Sequence, residues 1–134
     1  MLTFRLSAQE IKQVEASADD AEFNQGIAGG AQRLIGNVRF THEGAIMYCD
    51  SAYFYGATNS LDAFSRVHIN NADTVDLYGD FLHYDGNTRI AEIRRNVRLV
   101  GSNTTLTTEE LDFDLGKNAG YYTNHADIVS GDNK

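Results

Sequence analysis

The sequence predicts an all-β domain of antiparallel strands, folded as a sandwich or jelly roll, and three observations carry that expectation. Apolar and polar residues alternate with a period of two, a unit of about thirty residues recurs along the chain, and Gly- and Asn-rich turn chemistry punctuates the alternating stretches. At 134 residues the chain is expected to form one domain over 1–134, long enough to bury its own core.

From the N-terminus, Ser7 to Glu22 is the only stretch that tolerates a helix, and alignment of the repeat favours strand for its second half. The next segment places Leu34, Gly36, Val38 and Phe40 on one face, with Arg33, Asn37, Arg39 and Thr41 on the other. A helix would group residues three and four apart, so this alternation demands a half-buried strand. Glu43-Gly44 supplies a reversal, and a strand through Met47 and Phe54 runs to the turn Gly56-Ala57-Thr58-Asn59. Leu61, Ala63, Val67 and Ile69 then oppose Asp62, Arg66, His68 and Asn70, ending at Asn70-Asn71. A strand around Leu77 to Tyr84 leads to Asp85-Gly86-Asn87, after which Ala91, Ile93, Val97 and Leu99 oppose Glu92, Arg94, Asn96 and Arg98. Gly101-Ser102-Asn103 and Gly116-Lys117-Asn118 bracket one more strand, and the last places Tyr122, Ala126 and Ile128 on its apolar face. One apolar face per strand turns inward against another, as in a sandwich. A parallel β-helix is the alternative architecture, since it also repeats with turns at fixed offsets.

The repeat has two markers. An acid followed at the second position by an apolar residue and at the fourth by an aromatic begins at Asp19, Asp50, Asp80 and Glu109, spaced 31, 30 and 29 residues apart. An apolar position closing the other half falls at Val38, Val67, Val97 and Ile128, spaced 29, 30 and 31. About four copies therefore span the chain. Equivalent acids of a repeat occupy separate copies of one environment instead of converging on a cleft, so the acid series is expected to serve turns and hydrogen bonds, not glycoside hydrolysis or calcium binding.

Composition excludes other classes. Eleven Lys and Arg against 19 Asp and Glu leave a formal charge of −8, which repels phosphate backbones, so no nucleic-acid partner is expected. The N-terminus lacks a basic start followed by an apolar stretch, and no apolar run is long enough to form a spanning helix. An exported form is expected to have lost its signal peptide. The four histidines have no zinc-ligand spacing, and His42 and His68 are assigned to outer faces. Cys49 is read as a small strand residue, and no phosphate-cradling loop or nucleophile elbow occurs. No enzyme activity, metal or cofactor is expected.

Arg33 to Phe40, which contains Gly36-Asn37-Val38, followed by Met47 to Ala52, resembles the repeat core of the OstA-like family, to which the periplasmic lipopolysaccharide transport protein LptA belongs. Leu61 to Ile69 and Leu77 to Asp85 are similar to the same repeat, so the resemblance spans Val14 to Ile128. The triplet departs from the pattern at Ser65-Arg66-Val67 and Arg95-Asn96-Val97, where glycine is replaced, which puts a common turn geometry in doubt. The resemblance implies a twisted, partly open jelly roll in the periplasm that carries or bridges lipopolysaccharide toward the outer membrane. It implies as partners lipopolysaccharide itself, jelly-roll components at the inner and outer membranes, and further copies of the chain joined head to tail by edge strands. The chain ends soon after Ile128, consistent with one segment of a longer protein.

On that reading the lipid-binding residues are the inward set Leu34, Val38, Phe40, Phe54, Leu61, Val67, Ile69, Leu82, Tyr84, Ile93, Val97 and Leu99. Each acyl methylene withdrawn from water contributes about 0.8 kcal/mol, so ten give roughly 8 kcal/mol before ordering costs. The same residues would equally make an ordinary core. Arg33, Arg39, Arg66, Arg94, Arg95 and Arg98 form rows suited to a solvated outer face. Two further functions compete. A scaffold binding partners through its edge strands would show a filled core, and a carbohydrate-binding domain would need Tyr48, Tyr78 and Tyr84 in a row facing outward.

Overall fold

The computed structural model describes residues 12–23, 30–122 and 125–130. Six long strands follow one another as a meander, β3 (Gln32–His42), β4 (Ala45–Tyr55), β5 (Ser60–Asn71), β6 (Val75–Asp85), β7 (Ile90–Val100) and β8 (Thr104–Asp114). Each pairs antiparallel with its sequence neighbours. Two short strands, β1 (Glu15–Ser17) and β2 (Asp20–Phe23), cover the β3 edge, and β9 (Ala119–Tyr121) and β10 (Ala126–Ser130) cover the β8 edge, completing one ten-stranded sheet. The antiparallel pairing throughout removes the β-helix alternative. No α-helix occurs among the described residues, and Ser7 to Ile11 lie outside them. The two layers come from a single bent sheet with strands in sequential order, not from crossing connections.

Paired αL residues produce the bend. Gly36 and Asn37 on β3, Ser65 and Arg66 on β5, and Arg95 and Asn96 on β7 all have positive φ, between 48° and 83°. At each pair the register shifts, because the strand carries one residue more than its partner. The bulges form a row across the sheet and divide every long strand into two halves. The front halves, such as Val38–His42 and Ala45–Cys49, fold against the back halves, such as Gln32–Ile35 and Ser51–Tyr55. Phe40 of the front layer meets Phe54 of the back layer with ring centroids 5.9 Å apart, and the inner faces merge into one apolar core. The doubt raised by the replaced glycines is answered, since all three triplets take the same backbone path.

Three expectations are corrected. The fourth apolar marker is not Ile128, because Ala126 pairs with Thr108 as Val97 does, and Ile128 pairs with Leu106. A slip of two residues keeps a side chain on the same face, so alternation could not reveal it. The apolar face of the last segment is also not buried, with Tyr122 41% and Ile128 53% exposed. Finally, the reversal after β5 uses Ala72 and Asp73, both with positive φ, instead of Asn70-Asn71.

Candidate functional site

The interior between the layers is built from the inward rows of six strands. All twelve predicted lining residues lie there, and all but Phe54 and Leu99 are buried. Phe40, Leu61, Ile69, Leu82, Tyr84 and Ile93 have no exposed surface, so side chains fill the space between the layers. On β4, β6 and β8 the inward alternation changes phase at the acid. Cys49, Gly79 and Thr108 face inward just before it, and Ala52, Leu82 and Leu111 two residues after it. Gly79 leaves the least room, for a Cβ there would collide with Ile93 Cγ2.

The acid series lies on the bulge row. Asp19 Oδ2 accepts a hydrogen bond from Asn37 Nδ2 at 2.8 Å, Asp50 is held by the Arg66 guanidinium at 2.9–3.1 Å, and Asp80 Oδ2 accepts from Asn96 Nδ2 at 2.7 Å. Each carboxylate thus fixes the second residue of an αL pair, which is why the acid recurs with the period of the bulge. Glu109 shares a hollow of about 550 Å³ with His125 at the corresponding place beside β10. Among the described residues no three His, Cys, Asp or Glu side chains converge as a metal site.

Opposite the bulges, the strand ends of the two layers meet in a seam of polar bonds. Asn59, in the turn between β4 and β5, accepts from Val14 N at 2.8 Å and donates to Lys12 O at 2.8 Å. His42 lies 2.7 Å from the Tyr84 hydroxyl through Nδ1 and 2.9 Å from Lys12 O through Nε2. A carbonyl can only accept, so Nε2–H donates to Lys12 O, and in the neutral ring Nδ1 accepts from the Tyr84 hydroxyl. Burial pushes the Tyr84 hydroxyl up to about 12, against the opposing pull of Arg89. Arg89 Nη2 donates to Glu43 O at 3.2 Å, and Asn71 Nδ2 bridges to Leu115 O and Asn118 Oδ1 at 3.1 and 2.9 Å. The front turns after β3 and β5 therefore each bond a back turn farther along the chain. His42 is buried at 4% exposure and faces inward, which corrects its outer-face assignment. Two positions after Phe40, it continues that strand's inward row.

The outer face of the front layer carries Arg39, Tyr48, His68, Tyr78 and Arg98 in register across β3 to β7. The His68 and Tyr78 rings stack at 4.5 Å, and the Arg98 guanidinium lies 4.4 Å from the Tyr78 ring centre. His68 and Asn70 donate to Asp76, which holds its carboxyl below the ordinary aspartate value, with Asn70 the larger cause. Tyr48 and Tyr78 face outward as a sugar platform would need, but Tyr84 lies inside and the stacked rings cover one another's faces. Five of the six predicted arginines are exposed and Arg94 is half-buried against Asp112, as a solvated face requires. Burial pushes the Cys49 thiol up to about 12, which leaves it unreactive as a nucleophile.

The seam residues were not singled out from sequence. The one signal pointing to them was an Asn at the strand end or turn in Asn59, Asn71 and Asn118, which turn chemistry accounted for equally well.

A family profile described as OstA-like protein matches residues 12–134. In fold the chain is similar to the crystal structure of LptH from Pseudomonas aeruginosa, described as the LptA homologous periplasmic component of a conserved lipopolysaccharide transport device. That likeness has a TM-score of 0.71 at 13% identity and covers 88% of this chain and 94% of that one. No curated protein matches the chain.

Proposed function

The chain belongs to the family of OstA-like proteins, and from that membership we propose that it takes part in lipopolysaccharide transport by holding lipid acyl chains between its two layers. The single observation that carries this reading is the inward face, an apolar surface running across all six long strands, with the buried polar groups His42, Asn59, Ser60 and Asn71 at its rims. The similarity in fold to a periplasmic transport component supports placing the chain in the periplasm, where it would work without catalysis. No helix of the described residues is long and apolar enough to cross a membrane. A lipid would have to part layers that now touch. Each seam bond contributes about 1 kcal/mol net, so a handful is comparable with the roughly 8 kcal/mol that ten buried methylenes supply. The partners on this reading are lipopolysaccharide, related domains at the two membranes, and copies of the chain joined edge to edge.

Benzoylphenylalanine placed at Phe54 or at Tyr53 tests the proposal. The two aromatics are adjacent on β4, both half-buried, and point to opposite faces. In protein purified from cells making lipopolysaccharide, adducts at position 54 and none at 53 are expected. Adducts at 53 alone would move the ligand to the outer face, and none at either position would remove the lipid reading. The filled interior favours a second reading, a scaffold that binds partners through its edge strands, and that reading predicts no adduct at either position.

A further inference from the structure

Resting on the lipid reading, we propose that the seam opposite the bulge row is a latch, and that the interior takes up an acyl chain only while the two rims are parted about the bulges. The arrangement has three parts. The first is a row of bulges, where three αL pairs bend the sheet and leave its strand ladders shifted in register. The second is the filled interior, in which no rigid path exists between the layers at Phe40, Leu61 or Tyr84. The third is the set of bonds that joins the free rims, made by side chains and turn carbonyls instead of a continuous strand ladder.

The composition of that join matters. The layers are continuous through covalent strands at the bulges, but at the rims they are joined by separate polar contacts whose groups can all turn to water. Each seam bond can therefore exchange for hydration as the rims separate, whereas breaking a ladder would strand many backbone groups together. Arg89 marks the place where the closed state is least satisfied. Its backbone is in the left-handed region at φ 65°, and its Nε is buried with no hydrogen-bond partner among the described residues. Parting the rims returns that donor to solvent. The contact of His42 with Tyr84 closes the rims between the ends of β3 and β6, so a chain entering there must displace the pair.

Tying the rims together tests the latch. In a Cys49→Ala background, Thr74→Cys with Asn118→Cys joins front rim to back rim where the native side-chain oxygens lie 3.3 Å apart. Asp80→Cys with Asn96→Cys joins two strands at the bulge row, where the native side chains are 2.7 Å apart. Both pairs are closed with a reducible bis-thiosulfonate, and uptake of dansyl-undecanoic acid is followed by fluorescence, with circular dichroism confirming the fold. The rim-tied protein is expected to lose at least tenfold in uptake and to regain it on reduction, while the bulge-tied protein binds throughout. Glu43→Cys with Arg89→Cys, joined by a longer reagent of the same kind, repeats the measurement at the middle of the seam should the first pair not fold. Equal uptake by the rim-tied and reduced forms would overturn the latch and leave the lipid reading standing. No uptake by the reduced or bulge-tied protein would overturn both.

Discussion

At the scale of single residues, the bulge row shows why one position is glycine in the first repeat and Ser65 or Arg95 in the others. The αL conformation costs a side-chain-bearing residue about 1–2 kcal/mol, and here the register of the sheet imposes it regardless of the residue present. Arg95→Gly is therefore expected to stabilise the domain by about 0.5–1 kcal/mol after the entropy of the added glycine is deducted. Gly79→Ala should act in the opposite direction by about 1–3 kcal/mol, because its Cβ meets Ile93 in a packed interior. Urea midpoints at unchanged slope would measure both, and a destabilised Arg95→Gly would show that the guanidinium contributes more than the strain it carries.

At the scale of elements, the two edges of the sheet differ. The β1–β2 edge is broken at Ala18-Asp19 and carries Glu15, Asp19, Asp20 and Glu22, the charged and interrupted form that resists strand addition. β10 instead exposes Ile128 and Val129, at 53% and 66%, and carries a single charged residue, Asp127. If partners or further copies add at an edge, they are expected at β10. Sedimentation velocity at rising concentration should show larger species that Ile128→Lys removes, and an unaltered distribution would show that this edge is not used. The long strands were legible in the sequence because period-two alternation survives on β3, β5 and β7, where the inward residues flanking each bulge stand four apart, as Leu34 and Val38 do. The phase change on β4, β6 and β8 was legible only in part. The acid-led motif placed Ala52 and Leu82 correctly, but nothing in it says that the residue just before the acid also points inward. The seam was hidden, because bonds such as Asn59 to Lys12 span 47 residues and depend on a bend that local patterns do not encode.

At the scale of the whole molecule, the question is whether the sheet opens as a unit or along its seam. Cys49 offers a native probe, for it is the chain's single cysteine, it is buried, and its thiol lies far from ionising at neutral pH. A thiol reagent at pH 8 can label it only through an opening. If the rims part locally, Asn71→Ala should speed labelling several-fold with a urea dependence shallower than that of global unfolding. Labelling that tracks global unfolding at every urea concentration would mean that the layers separate only when the sheet itself is lost.

The stagger of the seam also gives the domain a handedness. Because the front turns after β3 and β5 are each fastened to a back turn farther along the chain, the layers close obliquely, like successive threads of a screw instead of the halves of a shell. At one end the inward side of β10 is exposed at Ile128, and at the other Phe23 is 62% exposed, so each end offers apolar surface to a neighbouring copy. Copies joined through these ends would each begin where the previous pitch left off, and any duct they formed would wind. Its rotation per copy would then be a property already written into the spacing of the turns.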